Sequence, residues 1–283
     1  MSKPSESESV VHIRADRSPW DFHNLLVVPF QELNHYRELI RNIVSRDLKV
    51  RYKRSALGIA WTVVAPLAQM LVIWLVFTMA FKIQIPYYAV YLFAGITTWN
   101  FFLQSIVSGS QSIMNAAGLI TKVRLPRVIF PLTAAVNNLV NFCFAFIALV
   151  LLMIVTGAPF HATLLLMPVM ILPLAIFCAG CSMLVSALSV FFRDLQYILE
   201  VSMNALFYAS PILWDASQVP ERYHWVLSVN PMAKYIFFVR SSVYYGSLPE
   251  LRTYLIGLGI SLAFFGVGWV VFHRLQRRFI YWL

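Results

Sequence analysis

Apolar residues run along this chain in long unbroken blocks separated by short polar breaks, and the blocks fall at about residues 59 to 81, 89 to 112, 129 to 156, 163 to 190, 196 to 214 and 252 to 273, each near the ~20 residues that a helix needs to cross ~30 Å of hydrocarbon. They predict six transmembrane helices, and an even number returns both termini to one side. Ahead of the first block the pattern changes. Between Asn34 and Val50 the apolar Tyr36, Leu39, Ile40, Ile43, Val44 and Val50 fall on one side of a helix, while Glu38, Arg41, Asn42, Ser45, Arg46 and Lys49 fall opposite. Such a helix lies in the interface plane, and 31–56 is expected to be an amphipathic interface segment serving as a lipid-surface anchor or as a platform for a cytoplasmic partner. Residues 1–30 are expected to form a cytoplasmic tail with a disordered start, because the serine- and glutamate-rich opening buries too little apolar area to order itself. After the fifth block, Ser210-Pro211-Ile212 breaks the helix. Pro220 and then the capping pair Asn230-Pro231 open short helices, the second running through Tyr235 to Phe238 towards Gly246, too short to span and expected as an outer gate or lid.

Composition removes the soluble alternatives, since 60% of residues are hydrophobic, 12% are charged and the mean hydropathy is +0.72. The expected fold is an all-α integral membrane protein, because a helix satisfies its own backbone polar groups inside lipid. The first block lies too far from Met1, with no small-residue cleavage site behind it, to read as a signal peptide, and is expected to stay in the mature chain. Lysine and arginine gather before the first block (Arg46, Lys49, Arg51, Lys53, Arg54), in the second-to-third connection (Lys122, Arg124, Arg127) and after the last block (Arg274, Arg277, Arg278). Cations of short loops stay in the cytoplasm, so both termini are placed there. The net charge of +10 therefore calls for anionic headgroups rather than nucleic acid, since no arm interleaves the cations with aromatics.

Chemistry of catalysis or ion coupling is thin. Glu200 is the one carboxylate well inside a predicted span, which argues against a proton or sodium relay. The glycine-rich phosphate loop of a nucleotide hydrolase is absent, so uphill transport would draw its energy from another chain. His12, His23, His35, His161, His224 and His273 are scattered without metal-ligand spacing, and Cys143, Cys178 and Cys181 read as small packing residues, so no metal is expected. Gln104, Ser105, Ser108 and Gln111 in the second block, and Asn137, Asn138 and Asn141 in the third, either bond helix to helix or line a hydrophilic path. Tyr87, Tyr88 and Tyr91 read as interfacial anchors. Trp74, Phe77, Phe207 and Tyr208 lie deeper and either pack or offer π faces to a passing sugar chain.

Taken in order, Arg46-Asp47-Leu48-Lys49-Val50-Arg51-Tyr52-Lys53 with Ser55, Leu57-Gly58, Trp61 and Pro66, then Asn115 to Pro131, Phe191-Phe192-Arg193-Asp194-Leu195, Ser210-Pro211-Ile212 and Asn230-Pro231-Met232 resemble the ABC-2 type polysaccharide exporter permeases. These are membrane subunits of lipopolysaccharide O-antigen, capsule and teichoic acid exporters, and the likeness is nearest to the O-antigen branch. It covers about residues 31 to 283, with Leu125 standing where relatives often carry an aromatic. The resemblance implies an ABC-2 transmembrane domain over 57–283 in the bacterial inner membrane, working as a homodimer with two copies of a separate ATPase that binds ATP and Mg, this chain holding no cofactor. It implies ATPase coupling through Arg46, Lys49, Arg51, Lys53, Arg54, Asn115, Lys122, Arg124 and Arg127, and entry of a polyprenyl-linked glycan near Ser55, Leu57 and Gly58. It places an outer gate around Pro211, Pro220, Asn230 and Pro231. Export of teichoic acid or a smaller amphiphile is an alternative with the same architecture. A membrane-embedded glycosyl- or acyltransferase would need a carboxylate or histidine centre, for which Asp194, Asp215, Glu221 and His224 are dispersed.

Overall fold

A computed structural model of the chain describes residues 37–52, 58–81, 85–120, 122, 125–192 and 194–282. The expected tail at 1–30 and the candidate residues Lys53, Arg54, Ser55, Leu57 and Arg124 lie outside the described residues. All regular structure among those described is helical. Helix α1 is Arg37–Tyr52, α2 Trp61–Phe81, α3 Tyr88–Asn115 and α4 Ile129–Thr156. Helix α5, Met167–Ser189, follows a 3₁₀ turn at Ala162–Leu166; α6 is Leu195–Ala209; α7, Pro231–Arg240, runs into a π-helical turn at Ser241–Tyr245; and α8 is Leu251–Leu275.

Five of these, α2, α3, α4, α5 with its leading turn and α8, are long and apolar enough to cross a bilayer. The segment expected as the fifth crossing differs. Helix α6 has 15 residues, which at 1.5 Å per residue rise only ~22 Å, short of the ~30 Å of a hydrocarbon core. It stops at Ser210, whose backbone is extended (φ −97°, ψ 144°), instead of running on to residue 214. The cause is Pro211, whose ring disfavours helical geometry at the residue before it and which has no N–H to continue the ladder.

Helix α3 is the hub, with 78% of its most apolar stretch buried, whereas α2 lies at the rim with 6%. Side chains along α3 at Tyr91, Phe93, Trp99, Phe102 and Ile106 are covered by α4, α5 and α7. Helix α8 makes its broadest contact with α5. There a Cβ at Gly268 would stand 2.1 Å from the Gly180 carbonyl oxygen, and one at Gly180 would stand 2.5 Å from the Phe265 Cα. Two glycines thus let the backbones touch, the close approach that helix pairs in lipid use where no hydrophobic drive separates chain from solvent. Helix α1 packs on α4, with Leu39, Ile40, Ile43 and Val44 partly covered and Glu38, Arg41, Asn42 and Arg46 exposed.

Candidate functional site

The chain break after α6 is held from three sides. Pro211 breaks the helix and leaves the carbonyls of residues 211 to 214 without helical donors. Arg240, 3% exposed at the end of α7, supplies the fork that answers two of them: Nη1 donates to the Pro211 carbonyl, and Nη2 to that of Ile212 at 2.8 Å. Its Nε donates to the Tyr91 carbonyl at 3.2 Å, and the guanidinium lies 3.4 Å from the centroid of the Tyr91 ring. The next two carbonyls are taken by α3, with Tyr88 Oη donating to Leu213 at 2.8 Å and Tyr91 Oη to Trp214 at 3.1 Å. Gly95 makes room, since a Cβ there would sit 2.6 Å from Arg240 Nη2.

The two motifs singled out by their prolines meet in the same knot. Asn230 caps α7 by accepting from the Met232 amide at 2.9 Å, while its Nδ2 donates to Ser210 Oγ at 2.9 Å. Helix α7 is buried along Met232, Tyr235, Ile236, Phe238 and Val239, so it folds back into the bundle rather than lying over it. Pro220 precedes a 3₁₀ turn at Glu221–Tyr223 and the short helix His224–Val229. Asp215 begins this stretch, its carboxylate accepting from the Ser217 amide at 2.8 Å, the Ser217 hydroxyl at 2.6 Å and the Tyr245 hydroxyl at 3.3 Å. Tyr88 and Tyr91, expected as interfacial anchors, are instead buried donors; only Tyr87 is exposed. Their burial follows from α3 starting beside the break, where free carbonyls repay the loss of water around each phenol. Arg240 is not among the residues that the sequence motifs single out; the one signal for it is an arginine ending the run Tyr235 to Val239 with no carboxylate beside it in sequence.

Below the knot a groove of about 590 Å³ runs between α2, α3 and α6. Its walls alternate amides and aromatic rings: Gln69 and Asn100, hydrogen-bonded at 3.3 Å, face Asn204, while Trp99 meets Phe207 edge-on at 5.5 Å and Phe207 meets Tyr208 at 5.3 Å. Such a surface can hold a hydroxyl-rich chain, with amides taking hydroxyls and rings taking the C–H faces of sugars. Of the four deep aromatics, Phe207 and Tyr208 are in this groove, whereas Trp74 and Phe77 are partly buried against the main core. Glu200 lies in the groove wall as well.

On the adjacent face of α3, towards α1 and α4, a second cavity of about 570 Å³, sharing Gln111 with the first, brings Arg46 and Asn115 together. Lys49 and Arg51 lie on the helical backbone of α1. Lys122 is exposed, and Arg127 donates to the Gln276 carbonyl, tying the second-to-third connection to the C-terminal segment. Gly58 opens a 3₁₀ turn, Gly58–Ala60, with φ 51°.

A many-spanning helical bundle, with a helical hairpin folded back into it and polar cavities along its central helix, defines an integral membrane protein of the permease type. Residues 38–244 match the family described as ABC-2 type transporter, and the chain belongs to that family. It is 31% identical over 249 residues, 87% of this chain and 95% of the relative, to the O-antigen export system permease protein RfbA of Klebsiella pneumoniae. The RfbA permease of Myxococcus xanthus is 30% identical over 251 residues, covering 88% and 96%. A more distant relative, the polysialic acid transport protein KpsM of Escherichia coli, is 23% identical over 209 residues, covering 72% and 81%.

Proposed function

We propose that the chain is the membrane-spanning permease of an ATP-binding-cassette exporter that carries a polyprenyl-linked polysaccharide, O-antigen foremost, from cytoplasm to periplasm across the bacterial inner membrane. The observation that carries this reading is the near full-length similarity to O-antigen export permeases. The groove of amides and aromatic rings beside α6 supports a carbohydrate cargo. Two copies of the chain face one another, and two copies of a separate ATPase, holding ATP and Mg, dock on the cytoplasmic side. Helix α6 with residues 210–214 makes a sixth, short crossing, which leaves both termini in the cytoplasm. Arg46, Lys49, Arg51, Lys53 and Arg54 with Asn115, Lys122, Arg124 and Arg127 receive the ATPase, and Ser55, Leu57 and Gly58 border the cargo entrance. Pro211, Pro220, Asn230 and Pro231 belong to the outer gate. ATP binding closes the ATPase pair, and rigid-body shifts carried by α1 and the 115–127 connection open the bundle interface. The test is export from reconstituted complex: a hydrolysis-dead ATPase is expected to stop glycan transfer, and transfer at the ordinary rate would sink the coupling.

A further inference from the structure

Helix α6 walls the groove of amides and rings, yet every one of its side chains stays at least partly exposed. It leans on the main core along Leu199, Met203 and Phe207 and is pinned at its two ends. At one end the knot holds it, with Asn230 Nδ2 donating to the Ala209 carbonyl at 3.3 Å as well as to Ser210 Oγ. At the other, the turn leading from α5 sets Phe191 against two rings, Phe279 with centroids 6.0 Å apart and Trp282 at 5.6 Å. Both rings belong to the stretch after α8, where a 3₁₀ turn covers Gln276–Tyr281.

Phe279 is 0% exposed, sunk in a hydrophobic cluster that is separate from the main core. Ile120 and Val128 bring the connection between α3 and α4 into this cluster, and Val190 and Phe191 bring in the turn before α6. Phe272 of α8 meets the Phe279 ring edge-on at 5.6 Å. Arg127 adds a polar tie, its Nη1 donating to the Gln276 carbonyl. The 3₁₀ turn thus touches both the connection proposed to receive the ATPase and the start of the helix that walls the groove. Close-packed side chains compress little, so a push on one side of the cluster reaches the other. A thinly covered helix pinned at its ends answers by tilting, because the shift gives up little buried contact. We propose that Phe279 is a positioning residue that joins the ATPase-receiving connection to α6, so that one wall of the cargo groove moves with the ATPase. This route rests on the ATPase coupling proposed above and carries it to the cargo.

The test uses the full-length permease with its ATPase in proteoliposomes, Cys143, Cys178 and Cys181 being replaced and a spin label placed at Leu119 in the connection or at Ile198 on α6, both exposed positions. In otherwise wild-type protein ATP is expected to change both spectra. With Phe279→Ala the Leu119 label should still respond and the Ile198 label should not, while glycan exported per ATP hydrolysed falls about fivefold. Phe279→Leu refills most of the space and is expected to recover most of that ratio. Phe191→Ala, at a partly buried site that the fold tolerates more readily, should reproduce the Phe279→Ala pattern, and the double variant should be no worse than either, since the two rings act through one contact. An Ile198 response and an export ratio that survive both alanine substitutions overturn the proposal. Loss of both label responses while the ATPase still copurifies also overturns it, showing that the ring only supports the connection. A silent Leu119 label in the wild type overturns the ATPase coupling itself, and this route with it.

Discussion

Among single residues, Arg240 does the most for the least visible reason. A proline that breaks a helix leaves carbonyls facing apolar surroundings, and a buried guanidinium with its fixed fork can meet several at once. Arg240→Leu strands the carbonyls of Pro211 and Ile212 and is expected to cost about 3 kcal/mol, read as a lowered unfolding midpoint in detergent. Arg240→Lys keeps the charge but lacks the fork, so it should recover only part of that loss. Asp215 sits just outside the knot. Burial pushes its carboxyl up, but the Ser217 hydroxyl and amide, the Tyr245 hydroxyl and the Arg240 charge pull harder the other way, leaving it below the ordinary value. A depressed carboxylate stabilises the folded loop above its unfolded-state pKa of ~3.9 and loses that contribution as pH falls through the lower folded value. Amide exchange at 215–218, corrected for intrinsic rate, should therefore rise on strong acidification in the wild type. Asp215→Asn should flatten that dependence.

At the level of elements, the α5/α8 pair depends on absence of side chain. Gly268 leaves space for the Gly180 carbonyl, and nothing larger fits without moving a backbone. Gly268→Ala is expected to destabilise by about 1–3 kcal/mol, the usual penalty of overpacking, seen as a lower melting temperature in nanodiscs. The hairpin carrying α7 depends on a cap. Asn230→Ala removes both the Met232 amide acceptor and the donor to Ser210, and should cost about 1–2 kcal/mol with faster exchange at the start of α7. Substitution by aspartate keeps the cap and loses the donor, so it should fall between the two.

For the whole molecule, the uncovered faces are as informative as the core. Helix α2 exposes Leu71, Val72 and Met79, and α6 exposes Tyr197, Ile198, Val201 and Tyr208. Lipid would suit the apolar faces, but the groove between these helices also carries Gln69, Asn100 and Asn204. Amides facing hydrocarbon are costly, and the proposed second copy or cargo would cover them in the membrane. In a variant with Cys143, Cys178 and Cys181 replaced, Tyr197→Cys, exposed in the wall of that groove, is expected to give an oxidative dimer in native membranes. Leu255→Cys, exposed on α8 away from that groove, should remain monomeric. The reverse pattern would move the contact between copies to the other flank.

The long apolar blocks by themselves determined the class, the helical fold and nearly every helix boundary, because a bilayer imposes length and composition on each crossing separately. Helix α4 occupies 129–156, as its hydropathy indicates. The motifs Ser210-Pro211-Ile212 and Asn230-Pro231 were legible as breaks and caps for the same local reason. What only the tertiary structure decided is where those pieces meet. Pro211 ends α6 early, Arg240 and Tyr91 come from elements far apart in sequence to answer the stranded carbonyls, and the polar stripes of α3 divide between two cavities. Periodicity tells which residues share a face of one helix. It cannot tell which neighbour that face meets, since in lipid the choice rests on close packing and hydrogen bonds between helices rather than on hydrophobicity.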